Sequence, residues 1–432
     1  MTALPGEYGG TAVWVVLMML GVIVFRLHET WPPLARLRPV LVAGGAGTIA
    51  VLVGTSIPAL VAVVRSRIFA LTLAFLGWGA LTIPTSIWRG HSIEALQNLV
   101  FCTVVVGGIL LVRPDEHHFA RLRKGFLAFA TLLAFALFIV GRGVGERYSV
   151  SYSLDPNDLA AVMAMSAPFA LVTALRQGAG ARVAAFAVFG LLCAAVVRTG
   201  SRGGTLALLV GLATLLLYLR MRTRVGLVML AIPVLVAAWF GAPQSYRDKM
   251  SALARGEQDY NATEYGGRQN IWKRGLIYVR QDPLLGVGLG NFDTREGRYL
   301  EEQGRVGRWT APHNAYLQAA VDNGVPGFLI FVSMLAAGFA AAHRIARRSD
   351  GAEPEYVGAL AGFAVAAFFL SHAYAYHLYG LLGLIAARDR ILAARGGARV
   401  SAPPPVVTGR RARRFAVPRR SGPGRLAPSF PR

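Results

Sequence analysis

The sequence predicts an all-α integral membrane protein with about twelve transmembrane helices. Hydrophobic residues make up 54% of the 432-residue chain and charged residues only 16%. The hydrophobic residues form repeated runs of about 20 residues, the length that a helix needs to cross a bilayer. These runs are too long and too continuously apolar for barrel strands. One long polar segment, 241–312, interrupts them between the ninth and tenth predicted helices.

The predicted spans follow one another through short connections, except at the polar segment. Each is an apolar run with few charged residues, which is what a membrane helix requires. In chain order the spans are 11–27, 39–64, 68–88, 92–112, 120–141, 157–175, 183–199, 203–219, 224–240, 314–342, 355–372 and 377–393.

The distribution of Lys and Arg in the short loops predicts the orientation of the chain. One set of alternate loops holds fourteen of these residues and the opposite set holds eight. Because cytoplasmic loops carry the excess of positive charge, the richer set is cytoplasmic, although the 26–38 loop is basic on the opposite side. Both termini are then cytoplasmic, and 241–312 is periplasmic. We therefore expect a multi-pass protein of the bacterial inner membrane.

The net charge of +23 is concentrated at the C-terminus. Residues 388–432 contain twelve Arg and one Asp, and the stretch is rich in Pro and Gly. Such a composition cannot bury a core, so we expect a polytopic domain over 1–393 and a disordered cytoplasmic tail over 394–432. Contact of this tail with anionic membrane lipids accounts for its charge better than nucleic-acid binding does, and a specific partner site is the alternative.

The cysteines predict no disulfide framework. Cys102 and Cys193 each lie inside an apolar run and are interpreted as small core residues.

The sixth span opens with an acidic motif. Asp155 precedes Pro156, which suits a first helical position, and Asp158 lies where the acid of a capping box would lie. The motif therefore predicts a helix N-cap, and metal binding by the two carboxylates is the alternative.

A tight basic turn links the seventh and eighth spans. It contains Arg198, Ser201, Arg202, Gly203 and Gly204, and the eighth helix begins within it. Glycines let backbone N–H groups approach an anion at a helix start, and the planar guanidinium of Arg binds phosphate through two N–H groups at once. The alternative is a hairpin whose arginines extend to lipid headgroups.

The polar segment contains two further features. Arg268–Arg280 is predicted to be a short amphipathic helix on the membrane surface, with Arg268 at its positive end and Trp272 in its apolar stripe. Gly286–Phe292 resembles a nucleotide-binding glycine loop but lacks the strand and helix that such a loop requires, so it is interpreted as a tight turn.

His313 ends the polar segment and opens the tenth span together with Asn314 and Tyr316. A neutral imidazole at the bilayer edge can accept a proton, although a lone histidine is more often structural.

Taken together, these motifs resemble the O-antigen ligase and polymerase family of bacterial envelope enzymes over about residues 90–390. The matching stretches keep the family's order, with the large external loop before the histidine. They are Asp155-Pro156-Asn157, Thr199-Gly200-Ser201-Arg202-Gly203-Gly204, Gly267-Arg268 with Trp272, Gly286-Val287-Gly288-Leu289-Gly290-Asn291-Phe292, His313-Asn314-Ala315-Tyr316-Leu317 and Gly324-Val325-Pro326-Gly327.

The resemblance implies a membrane glycosyltransferase that moves a glycan from undecaprenyl pyrophosphate to a lipid or glycan acceptor on the periplasmic face. It implies an inverting reaction without metal or other cofactor. Arg202 and Arg268 would hold the pyrophosphate, and His313 would assist the acceptor hydroxyl. The substrate-binding residues expected around them are Arg198, Ser201, Gly203, Gly204, Trp272, Asn314 and Tyr316.

Other functions stay open at this point. A repeat-unit polymerase of the same family would use the same residues. A polysaccharide or lipid exporter would need polar groups within the spans, which are sparse. A non-catalytic scaffold would not need the two arginines and the histidine together.

Overall fold

In the computed structural model the chain is built almost entirely of α-helices. The structure describes residues 10–26, 33, 36, 42–47, 49, 56–112, 115–144, 147–151, 154–229, 240, 244, 247–248, 251 and 265–401. The helices and strands over these residues are α1 (Gly10–Val24), α2 (Ile57–Val64), α3 (Arg67–Leu81), α4 (Arg89–Leu111), α5 (Glu116–Ile139), β1 (Arg142–Val144), β2 (Arg147–Ser149), α6 (Pro156–Arg176), α7 (Ala179–Arg198), α8 (Arg202–Tyr218), α9 (Arg268–Gln281), α10 (Phe292–Glu302), α11 (Ala315–Arg348), α12 (Glu355–Phe368) and α13 (Tyr376–Ser401). The strands β1 and β2 form a short antiparallel hairpin.

Several of these helices are those of a membrane protein. Among the described residues, α4, α5, α6, α7 and α11 are long and apolar enough to cross a bilayer, and α2 and α3, bent by 85°, would add a sixth span if they form one. The all-α membrane architecture is thus confirmed, whereas the number twelve stays a prediction. Parts of the predicted second and ninth spans, 39–64 and 224–240, lie outside the described residues.

Helix α6 is largely buried, and it packs against α8 and α12. Small residues bring these helices together: a Cβ on Gly211 of α8 would lie 2.8 Å from the carbonyl oxygen of Gly358 in α12. Close backbone approach at small residues is how membrane helices associate, because lipid supplies no hydrophobic force between them. This packing fixes where the first turns of α6 and α8 lie.

Helix α11 is broken at Gly324, whose φ of 67° and ψ of −176° are not helical. The turn that precedes α10 docks at this break. Val287 N donates to Val321 O at 2.9 Å, and Val325 N donates to Pro283 O at 2.8 Å. The φ of +66° at Gly286 confirms the predicted tight turn.

The described part of the polar segment folds into a cap formed by α9 and α10. A buried ion pair joins the two helices, with Arg274 Nε 2.9 Å from a Glu296 oxygen and Tyr278 donating to the same carboxylate at 2.7 Å. The predicted helix Arg268–Arg280 corresponds to α9, which extends one residue further to Gln281. Ile271 of the predicted apolar stripe is buried with Leu317 and Val321 of α11, whereas Leu276 of the same stripe is exposed, and the position of α9 on the membrane surface stays a prediction.

The bundle has two ends with different chemistry. We call one the site end, because it gathers the first turns of α6, α8, α9 and α11 with the connection 369–375 between α12 and α13. We call the other the ion-pair end. There the arginines of α5, α11 and α13 meet carboxylates, as in the pairs Arg123–Glu355 and Arg348–Asp389.

The chain divides into two compact units, 1–393 and 394–432. In the second unit the described residues continue α13 as far as Ser401, so the start of the predicted disordered tail is helical. The tail residues 402–432 lie outside the described residues.

Candidate active site

The connection 369–375 holds the site end together. The backbone N–H of His313 donates to Ser371 Oγ at 3.0 Å, which ties the start of α11 to this connection. The next residue, His372, bonds through Nε2 to Asp158 Oδ1 of α6 at 2.8 Å. A Cβ on Gly203 of α8 would lie 3.2 Å from Phe369. Three elements distant in sequence, namely α6, α8 and the start of α11, therefore converge on one short segment.

His313 is held in a conformation that few non-glycine residues adopt. Its φ is +48°, in the left-handed region. The preceding carbonyl, that of Pro312, accepts a hydrogen bond from Trp272 Nε1 at 2.8 Å, and Trp272 packs edge-to-face on Phe368. A strained residue persists only where its surroundings over-determine it, and such residues cluster at functional sites. The backbone around His313 is thus held at two points, its own N–H and the carbonyl of Pro312.

The surroundings of His313 lower the pKa of its imidazole below the usual value. Burial is the largest cause, the positive charge of Arg268 adds to it, and the carboxylates of Asp155 and Asp158 act in the opposite direction. His313 is therefore neutral at pH 7 and can accept a proton. This result also places Arg268 within electrostatic reach of His313.

The two predicted catalytic arginines occupy the first residues of α8 and α9. Arg202 and Arg268 are both half-buried. The N-cap of α9 is Gly267, which has no side chain to satisfy the first backbone N–H groups. A helix start of this kind carries partial positive charge and suits an anion. The structure thus places both arginines at the site end, together with His313.

Two predicted substrate-binding residues act as helix caps in the structure. Ser201 Oγ donates to Asn157 Oδ1 at 2.7 Å and accepts from Gly204 N at 3.0 Å, and the residue is fully buried. Asn314 Oδ1 accepts from Tyr316 N and Leu317 N. These bonds make both residues N-caps that fix the first turns of α8 and α11, and their predicted binding of substrate stays a prediction.

The glycines of the basic turn serve helix packing. A Cβ on Gly204 would lie 2.3 Å from that of Ala160, so α8 can approach α6 only with a glycine there. A Cβ on Gly203 would likewise meet Phe369, so both glycines allow close packing at the start of α8, and their predicted approach to a ligand stays a prediction.

The side chains of Arg198 and Tyr316 each contact other parts of the bundle. The guanidinium of Arg198 stacks on Phe138 and Tyr148, with its carbon 5.0 and 4.4 Å from the ring centroids. Tyr316 donates its hydroxyl to Ala364 O at 3.0 Å and thereby fastens α11 to α12. Trp272, by contrast, donates to the carbonyl that precedes His313.

The acidic motif is divided between two roles. Asp155 caps α6 as predicted and accepts from Asn157 N at 2.6 Å. The expected capping-box contact of Asp158 is replaced by its bond to His372. Within the described part of the chain, no group of three or more His, Cys, Asp and Glu side chains is placed to hold a metal ion.

Sequence reasoning missed the connection 369–375. Its Ser371 and His372 are the last two residues of the predicted eleventh span, 355–372, where they end an apolar run. By the span count, this connection falls on the same side of the membrane as Arg202 and His313. A polar, histidine-containing connection on that side was the available signal.

Part of the chain is similar to a known protein family. The fold and site define a helical membrane protein with a basic, histidine-containing site at one end of its bundle. Residues 185–332 match the family model described as O-antigen ligase, which confirms the resemblance seen in the motifs. The matched region contains Arg202, Arg268 and His313.

One similar solved structure is described as "Structural coordination of polymerization and crosslinking by a peptidoglycan synthase complex". The similarity covers 76% of this chain and 97% of that one, at 19% sequence identity and a TM-score of 0.44. No curated protein matches the chain.

Proposed function

We propose that the protein transfers a glycan from undecaprenyl pyrophosphate to an acceptor on the periplasmic face of the inner membrane, as an O-antigen ligase does. The observation that carries the proposal is the convergence of Arg202, Arg268 and the neutral His313 at one end of the bundle. The O-antigen ligase match over 185–332 supports the same class of reaction.

The chemistry follows from the charges that develop during transfer. The acceptor oxygen attacks the anomeric carbon from the side opposite the diphosphate, so the configuration inverts. The bond from that carbon to the diphosphate oxygen breaks, and its electron pair leaves with the diphosphate. Arg202, Arg268 and the positive end of α9 stabilise this added negative charge. His313 takes the acceptor proton as a general base.

Transfer from a purified polyprenyl-diphosphate-linked glycan tests the proposal directly. The full-length protein in proteoliposomes should release polyprenyl diphosphate and form the glycosylated acceptor without ATP or an ion gradient. EDTA should leave the rate unchanged, because the arginines replace a metal ion in this mechanism. Movement of intact donor across the bilayer without cleavage would instead indicate an exporter.

The acceptor distinguishes the ligase from the polymerase of the same family. The assay should be run in parallel with lipid A core and with a second lipid-linked repeat unit. Transfer to the core alone supports the ligase reaction, and elongation of the repeat supports the polymerase.

The membrane side of the site can be tested with single cysteines on exposed residues. Val306 lies in the cap, with 86% of its surface exposed, and Asp350 lies at the ion-pair end, with a side chain 91% exposed. A membrane-impermeant maleimide added to spheroplasts should label Val306→Cys and not Asp350→Cys. The reverse pattern would place the site on the cytoplasmic side and exclude the proposed reaction there.

A further inference from the structure

A carboxylate–imidazole pair lies beside His313 and has no part in the reaction described so far. Asp158, on the first turn of α6, accepts from His372 Nε2 at 2.8 Å. The His372 side chain is 7% exposed, whereas that of Asp158 is 26% exposed and so keeps contact with the open side of the site. The pair therefore joins a buried imidazole to a carboxylate at the site's edge.

The surroundings of His372 fix its orientation. Its ring stacks on Phe363 at an interplanar angle of 18° and meets the ring of His377 edge-on, 4.7 Å away. Because Nε2 faces a carboxylate, that nitrogen carries a proton and donates to Asp158, and the other ring nitrogen, Nδ1, is buried. That atom has no hydrogen-bond partner among the described residues. With one donor directed at Asp158, the imidazole is built to hold that carboxylate.

Two adjacent residues of the 369–375 segment link the Asp158–His372 pair to His313. Ser371 binds the backbone of His313, and His372, the next residue, binds Asp158. His313 and Asp158 are therefore held from the same two-residue segment. The carboxylate of Asp158 also acts electrostatically on the His313 ring.

We propose that the Asp158–His372 pair is a further positioning element of the active site, which holds a carboxylate beside His313 and stabilises the imidazolium formed when His313 takes the acceptor proton. This inference rests on the proposed function. It assigns no covalent step to the pair: the proton moves from the acceptor hydroxyl to His313, and Asp158 supplies the compensating negative charge.

The charges that face His313 come from several elements. Arg268 of α9 opposes protonation of the ring, whereas Asp155 and Asp158 of α6 favour it. Arg202 begins α8 at the same end, and His372 lies behind Asp158. Removing the charge of Asp158 alone leaves Asp155 and the arginines in place. The pKa of His313 should therefore fall, which makes His313 a weaker base.

Asp158→Asn is the sharpest test, because Asn still accepts from His372 while losing the charge. We expect kcat to fall roughly tenfold or more, a part of the 10²–10⁴ that a general base contributes. The acid limb of the pH–kcat/KM profile should move to lower pH, and the KM for the donor should change little. Asp350→Asn, an exposed carboxylate at the ion-pair end, is the matched control and should keep the parent profile.

Variants of His372 separate positioning from packing. Gln at this position retains an N–H that can reach Asp158, and Ala does not. His372→Gln should therefore keep more activity than His372→Ala, and its acid limb should stay closer to that of the parent. Equal activity of both variants with the parent would overturn the role of His372.

A direct measurement on His313 gives a result that does not depend on turnover. The rate at which diethylpyrocarbonate modifies His313, followed by mass spectrometry across pH, reports the pKa of the imidazole. Asp158→Asn should lower that pKa, and an unchanged or raised value would overturn the inference. If the parent shows no glycan transfer but the shift occurs, the proposed function fails while the pairing of Asp158 with His313 stands.

Discussion

The two ends of the bundle use similar residues for different purposes. At the ion-pair end Arg388 bonds to Glu353 and Glu116, and Arg344 and Arg348 share Asp389. At the site end Arg202 and Arg268 begin helices, and the carboxylate of Asp158 is bound to a histidine instead of an arginine.

The two ends therefore place arginines in different local settings, against carboxylates at the ion-pair end and at helix starts at the site end. A guanidinium bonded to carboxylates on another helix fixes the distance between the two helices. A guanidinium at a helix start adds its charge to the positive end of the helix dipole, which favours a bound anion. The predictions below test whether the two ends differ in this way.

The largest effect is expected at His313. His313→Ala should lower transfer by about 10²–10⁴-fold, because the acceptor loses its general base, whereas binding of the donor should survive. In the parent, transfer should fall only as the pH drops below the pKa of His313, which lies under 6.5. Single-turnover assays and donor-binding measurements check both points. The matched control is His343→Ala at the ion-pair end, where His343 bonds to Tyr218.

The second largest effect is expected at the two arginines of the site end, Arg202 and Arg268. Arg202→Lys and Arg268→Lys should each lower transfer on the order of 10²-fold or more, since Lys presents a point charge where a diphosphate needs a planar fork. Arg348→Lys, at the ion-pair end, should retain nearly full activity. Near-normal transfer by both site-end variants would mean that general positive charge suffices, and the distinction between the ends would be lost.

A smaller effect, on stability rather than on transfer, is expected at Asp389. Its bonds to Arg344 and Arg348 are partly exposed, so Asp389→Asn should cost about 1 kcal/mol of stability or less. A thermal unfolding scan of the purified protein should show a slightly lower Tm with unchanged kcat at low temperature. A lower kcat at equal folding would show that the ion-pair end also takes part in catalysis.

The smallest effect is expected from the tail. Truncation after Ser401 should leave transfer close to that of the full chain at equal membrane abundance, because 402–432 has the composition of a segment that builds no core. Loss of transfer by purified truncated protein would show that the tail contributes to the site.

Much of the class and several residues of the site could be predicted from the sequence. Apolar runs predicted membrane helices, and the start of α9 at Arg268 was predicted correctly because Gly267 and the amphipathic pattern are local signals. The cap at Asp155 was predicted for the same reason. Asp158 was misinterpreted because its partner, His372, lies far away along the chain, and no local pattern encodes that contact.

The sequence by itself determined the elements that depend on neighbours within a few residues: apolar helices, their caps and the glycine turn at Gly286. The tertiary structure decided which of the polar residues meet. His313, Arg268 and Asp158 come together because helices pack at Gly204 and Gly211 and because the 369–375 connection docks against them. The guanidinium of Arg198 instead stacks on two aromatic rings. The physical reason is that these contacts join helices remote in sequence, so they arise only when the whole bundle packs.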